Sequence, residues 1–131
     1  MLRNYFDLGW KLCFTRNKGK NPGELMGQGW QDKLCDNLED AKKWQEKAGK
    51  NPINPGLILG PGSSPDPDCI IIDVEYDSEE GKEIVERLFK EDGCPETPSW
   101  TSGKSLHRLF LMSRELAPNV ARKTANGVEF R

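Results

Sequence analysis

Cys69-Ile70-Ile71-Ile72-Asp73-Val74-Glu75 decides the fold: an unbroken branched aliphatic run that gives way to two carboxylates one residue apart. β-branched residues favour a pleated, buried strand, and side chains alternate from face to face along it. Asp73 and Glu75 therefore leave the same face, about 7 Å apart along the chain. Two acids sharing one small volume repel each other unless a divalent cation lies between them, and a hard, oxygen-seeking ion such as Mg²⁺ or Mn²⁺ suits carboxylates. The competing reading is structural: a core strand that reaches the surface and ends in a solvated acidic turn over residues 73–77. Both readings place a core strand at the centre of the chain.

The composition bounds what surrounds that strand. With 131 residues, 35% of them hydrophobic and 31% charged, the chain has the size of one domain, 1–131, with an ordinary globular composition. No stretch approaches the ~18 apolar residues of a membrane span, and the N-terminus lacks the apolar core of a signal peptide. A cytoplasmic location and no membrane partner are the expectation. Cys13, Cys35, Cys69 and Cys94 contain no Cys-x-x-Cys pair, and a single histidine, His107, completes a poor zinc set. Reduced, mostly buried thiols are expected. The net charge of −2 argues against a strongly basic protein that coats nucleic acid.

Upstream, Leu2, Tyr5 and Phe6 fall at helical spacing before Gly9, and residues 10–14 read as a first strand. Arg16-Asn17-Lys18-Gly19-Lys20-Asn21-Pro22-Gly23 follows, a loop able to offer cations and backbone N–H groups to phosphates, or simply a solvated turn. Residues 27–33 look irregular, with Trp30 covering an edge of the core. Asn37 caps a helix over 38–48 in which Leu38, Ala41 and Trp44 mark one face. Residues 51–56 read as a turn, 57–60 as a short buried strand, and 61–68 as a stiff Pro- and Gly-rich loop across which that strand can pair with the aliphatic run.

Downstream, Asp77 is expected to cap a helix reaching about residue 90, with Ile84, Val85, Leu88 and Phe89 facing inward. Two strands are expected over 98–101 and 106–112, the second placing His107, Leu109 and Leu111 on one side. A polar connection over 113–126 with a short helical turn leads to a closing strand that carries a third acid, Glu129. The whole reads as α+β, an α/β two-layer arrangement of a first unit, 1–68, and a second, 69–131.

In this order the chemically suggestive residues are Asp73-x-Glu75, Thr101-Ser102-Gly103-Lys104-Ser105-Leu106-His107, and Gly127-Val128-Glu129. Earlier landmarks are Gly9-Trp10, Lys20-x-Pro22, Trp44 and Pro55-Gly56-Leu57-Ile58-Leu59-Gly60. The series resembles the bifunctional DNA primase/polymerase (prim-pol) domain of the archaeo-eukaryotic primase superfamily over nearly the whole chain. The resemblance implies a prim-pol-like fold with an RRM-like half in 69–131 and a sheet flanked by helices. It also implies two divalent cations, Mg²⁺ or Mn²⁺, held by Asp73, Glu75 and Glu129, and a nucleotide site of Ser102, Gly103, Lys104, Ser105 and His107. Asp73, Glu75, Glu129 and His107 would then be the catalytic set of a nucleotidyltransferase.

Nucleoside triphosphates, a DNA template and primer, and a replicative helicase as domain or partner are the implied partners, in a bacterial, phage or plasmid replication setting. Lys18 and Lys20 are candidate nucleic-acid contacts, or ordinary solvated cations. Two departures stand out. The third motif carries Glu where many relatives have Asp, and such domains usually continue beyond this strand, so the RRM-like half is expected to be truncated at its C-terminal end. Two other functions fit the same residues. One is a non-catalytic nucleotide- or DNA-binding module of the same fold; the other is a metal-dependent nuclease using the acids with Lys104.

Overall fold

The computed structural model describes residues 2–102, 105–120 and 124–131. The chain divides into two units, Met1–Ile58 with Gly62–Pro65, and Leu59–Pro61 with Asp66–Arg131. In the first, α1 (Leu2–Asp7), β1 (Leu12–Arg16), α2 (Gly23–Met26), a 3₁₀ turn at Trp30–Asp32, α3 (Leu38–Ala48) and β2 (Ile53–Leu57) enclose one core. Phe14, Leu12, Leu25, Met26 and Cys35 lie at its centre, each at most 2% exposed. Asn37 caps α3, its side-chain oxygen accepting the Asp40 N–H at 2.9 Å.

Two expectations for this unit are corrected. The first strand begins two residues later than read, because Leu12, Cys13 and Phe14 are all buried and an apolar run covered on both faces shows no alternation to mark its start. Residues 53–57 form the strand, not 57–60, and they pair antiparallel with β1, Phe14 opposite Pro55. Proline cannot donate to a ladder, but both strands of a two-stranded sheet are edges, where that loss is tolerated. Gly60 meets the aliphatic run only as an isolated bridge to Ile71, not as part of a strand.

In the second unit the aliphatic run becomes β3 (Cys69–Tyr76), followed by α4 (Glu79–Asp92), β4 (Ser99–Ser102), β5 (Ser105–Ser113), α5 (Ala117–Val120), β6 (Thr124–Ala125) and β7 (Val128–Phe130). The strands lie in the order β4-β5-β3-β7-β6, every pair antiparallel. The chain is thus α+β, and the strand carrying the acids is the middle one of five. Ile72, Val74 and Val128 leave one face of this sheet and pack with Val85 of α4, joined by Phe89, Phe110, Met112 and Phe130. Each such side chain contributes about 1.5–3 kcal/mol when fully buried. By alternation Asp73 and Glu75 leave the other face.

Ser78, not Asp77, caps α4: its hydroxyl accepts the Gly81 N–H at 3.0 Å. Asp77 is still held to the sheet through its own N–H on the Gly127 carbonyl at 3.1 Å, so the helix starts one residue later. Here the helix and the β6–β7 turn are in unusually close approach. A Cβ on Gly81 would stand 2.3 Å from the Gly127 oxygen, and one on Gly127, whose φ is +76°, would meet the Ser78 hydroxyl. Leu88 does not face inward as expected; it is 45% exposed. All four cysteines are free, Cys13 and Cys35 buried, Cys69 half-buried and Cys94 exposed, so burial of the thiols is confined to the first unit. Among the described residues no helix is long and apolar enough to cross a membrane.

Candidate metal centre

Three strands meet at the acids. Asp73 and Glu75 project from β3, and on one side β5 runs with Leu109 opposite Asp73 and Arg108 opposite Val74. On the other side β7 sets Glu129 directly opposite Glu75. The same ladder continues to Arg131, which exchanges two backbone hydrogen bonds of 2.9 Å with Asp73. The alternation of each strand puts Asp73, Glu75, His107, Glu129 and Arg131 on one face of the sheet. Asp73, Glu75 and His107 are all buried, and each offers one ligand atom such that the three lie within 4.8 Å of one another.

His107 ties the cluster together. Its Nδ1 lies 2.7 Å from Asp73 Oδ2 and 3.2 Å from Glu75 Oε2. A carboxylate only accepts, so Nδ1 carries the proton in the bond to Asp73. The other nitrogen, Nε2, is hydrogen-bonded to the Ser102 hydroxyl. Trp100 stacks flat on the imidazole, centroids 4.8 Å apart with the planes 1° from parallel. Ser102 pairs with Ser105, and the Ser105 hydroxyl donates to the Tyr76 carbonyl, fastening the start of β5 beside the end of β3.

Glu75 and Glu129 form a like-charged cross-strand pair, which is unfavourable without a counter-charge. Arg131 provides one. Its Nη2 is 2.7 Å from Glu75 Oε1, while Nε and Nη2 donate to the two Glu129 oxygens at 2.9 and 3.1 Å. Burial pushes the Glu75 carboxyl above its ordinary range, and Arg131 and His107 only partly oppose that shift. Glu129 moves the other way, held low chiefly by its hydrogen bonds from Arg131.

The residues present fit a divalent cation. Among the described residues, Asp73 Oδ1 is buried with no hydrogen-bond partner. An uncompensated carboxylate oxygen is costly inside a protein, and a cation removes that cost. A buried cluster of two carboxylates and an imidazole can therefore hold a metal ion, with the carboxylates suited to hard cations.

Of the residues singled out in the sequence, Asp73, Glu75 and His107 come together, and Glu129 reaches the edge of the group through its pairing with Glu75 and Arg131. Ser102 touches His107, whereas Ser105 is turned onto the Tyr76 carbonyl. Gly103 and Lys104 lie outside the described residues. Lys18 and Lys20 are exposed in the turn after β1, in the first unit rather than the one that carries the cluster. Two residues were missed: Arg131 and Trp100. Arg131 had a usable signal, since Glu129-Phe130-Arg131 puts acid and guanidinium on one face of a strand. Trp100 had none, because its stacking depends on strand register.

No curated protein and no solved structure matches the chain significantly. The family comparison is positive and almost end to end. A family model described as bifunctional DNA primase/polymerase, N-terminal, matches residues 2–131, a span that holds the acid strand, the serine turn and the third acid alike, and the chain belongs to that family.

Proposed function

We propose that this domain performs template-directed nucleotidyl transfer from nucleoside triphosphates to the 3′-hydroxyl of a nucleic acid, with Asp73, Glu75 and Glu129 holding two divalent cations, Mg²⁺ or Mn²⁺. The observation that carries the reading is the buried, unpartnered Asp73 Oδ1 within the Asp73–Glu75–His107 cluster of a chain from a primase/polymerase family. When bound, such cations lower the pKa of the attacking hydroxyl and neutralise charge on the leaving pyrophosphate.

The chain's own residues supply position and donors. Asp73 orients the imidazole of His107 through Nδ1, and Trp100 fixes its plane, which directs Nε2 toward the turn at Ser102. In this reading His107 meets the triphosphate as the imidazolium, with Nδ1–H on Asp73 and Nε2–H donated to a phosphate oxygen in place of Ser102. The hydroxyls of Ser102 and Ser105, the Gly103 amide and the Lys104 ammonium add donors to the same phosphates. Lys18 and Lys20 contact the backbone of template or primer.

Calorimetry of ATP and dATP binding in Mn²⁺ and Mg²⁺ tests this reading. The wild type should bind only with metal, and His107→Ala and Glu75→Ala should each weaken binding more than about tenfold, at least 1.4 kcal/mol. Absence of metal-dependent binding in the wild type would overturn the assignment. Binding without primer extension would favour a non-catalytic module, and DNA cleavage without added nucleotide would favour a nuclease.

A further inference from the structure

We infer that Arg131 is a positioning residue that serves as the resident counter-cation of the acid cluster: it holds Glu75 and Glu129 together in the cation-free protein and is displaced from them when a divalent cation enters. The inference rests on the reading that these acids bind such an ion.

The geometry is specific. Arg131 grips Glu129 with two donors of its fork and reaches Glu75 Oε1 with one of them, so a single guanidinium spans two carboxylates that face each other across neighbouring strands. Forked donation of this kind is among the stronger charge-assisted contacts. Its backbone is fixed as firmly, through the reciprocal hydrogen bonds with Asp73. The guanidinium does not reach every acid, however. Asp73 Oδ1 stays without a partner, so the cluster is neutralised on the Glu75–Glu129 side and left open on the Asp73 side.

A guanidinium and a divalent cation cannot both occupy the Glu75 and Glu129 oxygens, since like charges at such distances in a partly buried site repel strongly. Arg131 is about half exposed, 54% for its side chain, so it has room to leave. Its strand anchor keeps it beside the acids after it does. The carboxylates are thus held near a shared geometry before the ion arrives, and cation binding is weaker than three bare acids would give.

Two consequences have opposite signs, which separates this role from mere structural support. Arg131→Gln should lower the melting temperature of the cation-free protein and tighten Mn²⁺ binding by about tenfold, because a competing positive charge is gone. Saturating Mn²⁺ should then recover more stability in the variant than in the wild type, as ligand linkage requires. Weaker or unchanged Mn²⁺ affinity in Arg131→Gln, with the wild type binding normally, would overturn the inference while leaving the metal site standing. No Mn²⁺ binding in either protein would sink both the metal site and this inference.

If Arg131→Gln fails to fold, the wild type still decides. The Arg131 Nε–H resonance, assigned by its loss in Arg131→Lys, should shift or exchange as Mg²⁺ saturates the site. An unmoved Nε–H resonance at saturation would mean that the guanidinium stays on Glu129 and the inference is wrong.

Discussion

The two faces of the five-stranded sheet are built from the same strands and have opposite characters. On one, Ile72, Val74, Phe110, Met112, Val128 and Phe130 pack beneath α4 around an apolar recess of about 600 Å³. On the other, Asp73, Glu75 and His107 are buried together, with Glu129 and Arg131 at their edge. Over residues 72–75 of β3, Ile72 and Val74 go to the apolar face and Asp73 and Glu75 to the acid cluster. The difference teaches that the apolar face sets the register that brings the acids together. A slip of one residue would exchange the two faces entirely.

Substitutions can separate the two roles. The largest loss is expected from Ile72→Ala on the apolar face, about 2–5 kcal/mol by chemical denaturation, from lost burial and the cavity left behind. Next comes Gly81→Ala. An alanine usually improves a helix by about 1 kcal/mol over glycine, yet here its Cβ would collide with the Gly127 carbonyl, so a loss of about 1–3 kcal/mol is expected instead. Because Gly127 leads directly into β7, this variant should also weaken Mn²⁺ binding by moving Glu129; a more stable Gly81→Ala with intact binding would show that the close approach is unimportant.

On the acid face the pattern should invert. Asp73→Asn keeps the shape and buries less charge, so stability should change by less than about 1 kcal/mol while Mn²⁺ affinity falls more than tenfold in calorimetry. A variant that unfolds, or that binds Mn²⁺ normally, would break the division between faces. The smallest effect is expected at Leu111→Ser, where the side chain is already 52% exposed: within about 0.5 kcal/mol, with binding unaltered.

Much of this was legible in the sequence because the relevant signals are local. The run Ile70-Ile71-Ile72 announces a core strand, Asn37 announces α3, and the one-residue gap between Asp73 and Glu75 requires a shared face whatever the register. What was misread depended on partners far along the chain. Pro55 argues for a turn until β1 is known to be its partner in a two-stranded sheet. Asp77 reads as a cap until the Gly127 carbonyl takes its N–H. Leu88 fits the inward pattern of α4, yet it lies at the rim of the apolar recess and is 45% exposed. At the site, His107 and Glu129 were named through a family likeness. That Arg131 links Glu75 to Glu129, and that Trp100 lies on His107, are facts of pairing that no spacing encodes.

The stacking of Trp100 on His107 also gives the domain an optical property. Of the four tryptophans, Trp10, Trp30 and Trp44 belong to the first unit, and only Trp100 lies in the second, in ring contact with an imidazole that is itself bonded to Asp73 and Glu75. A shift of the Asp73 or Glu75 oxygen that meets His107 reaches the indole through one ring contact. A cation taking the site proposed above should therefore change the emission of Trp100, an effect that a titration with Mg²⁺ reads without a label.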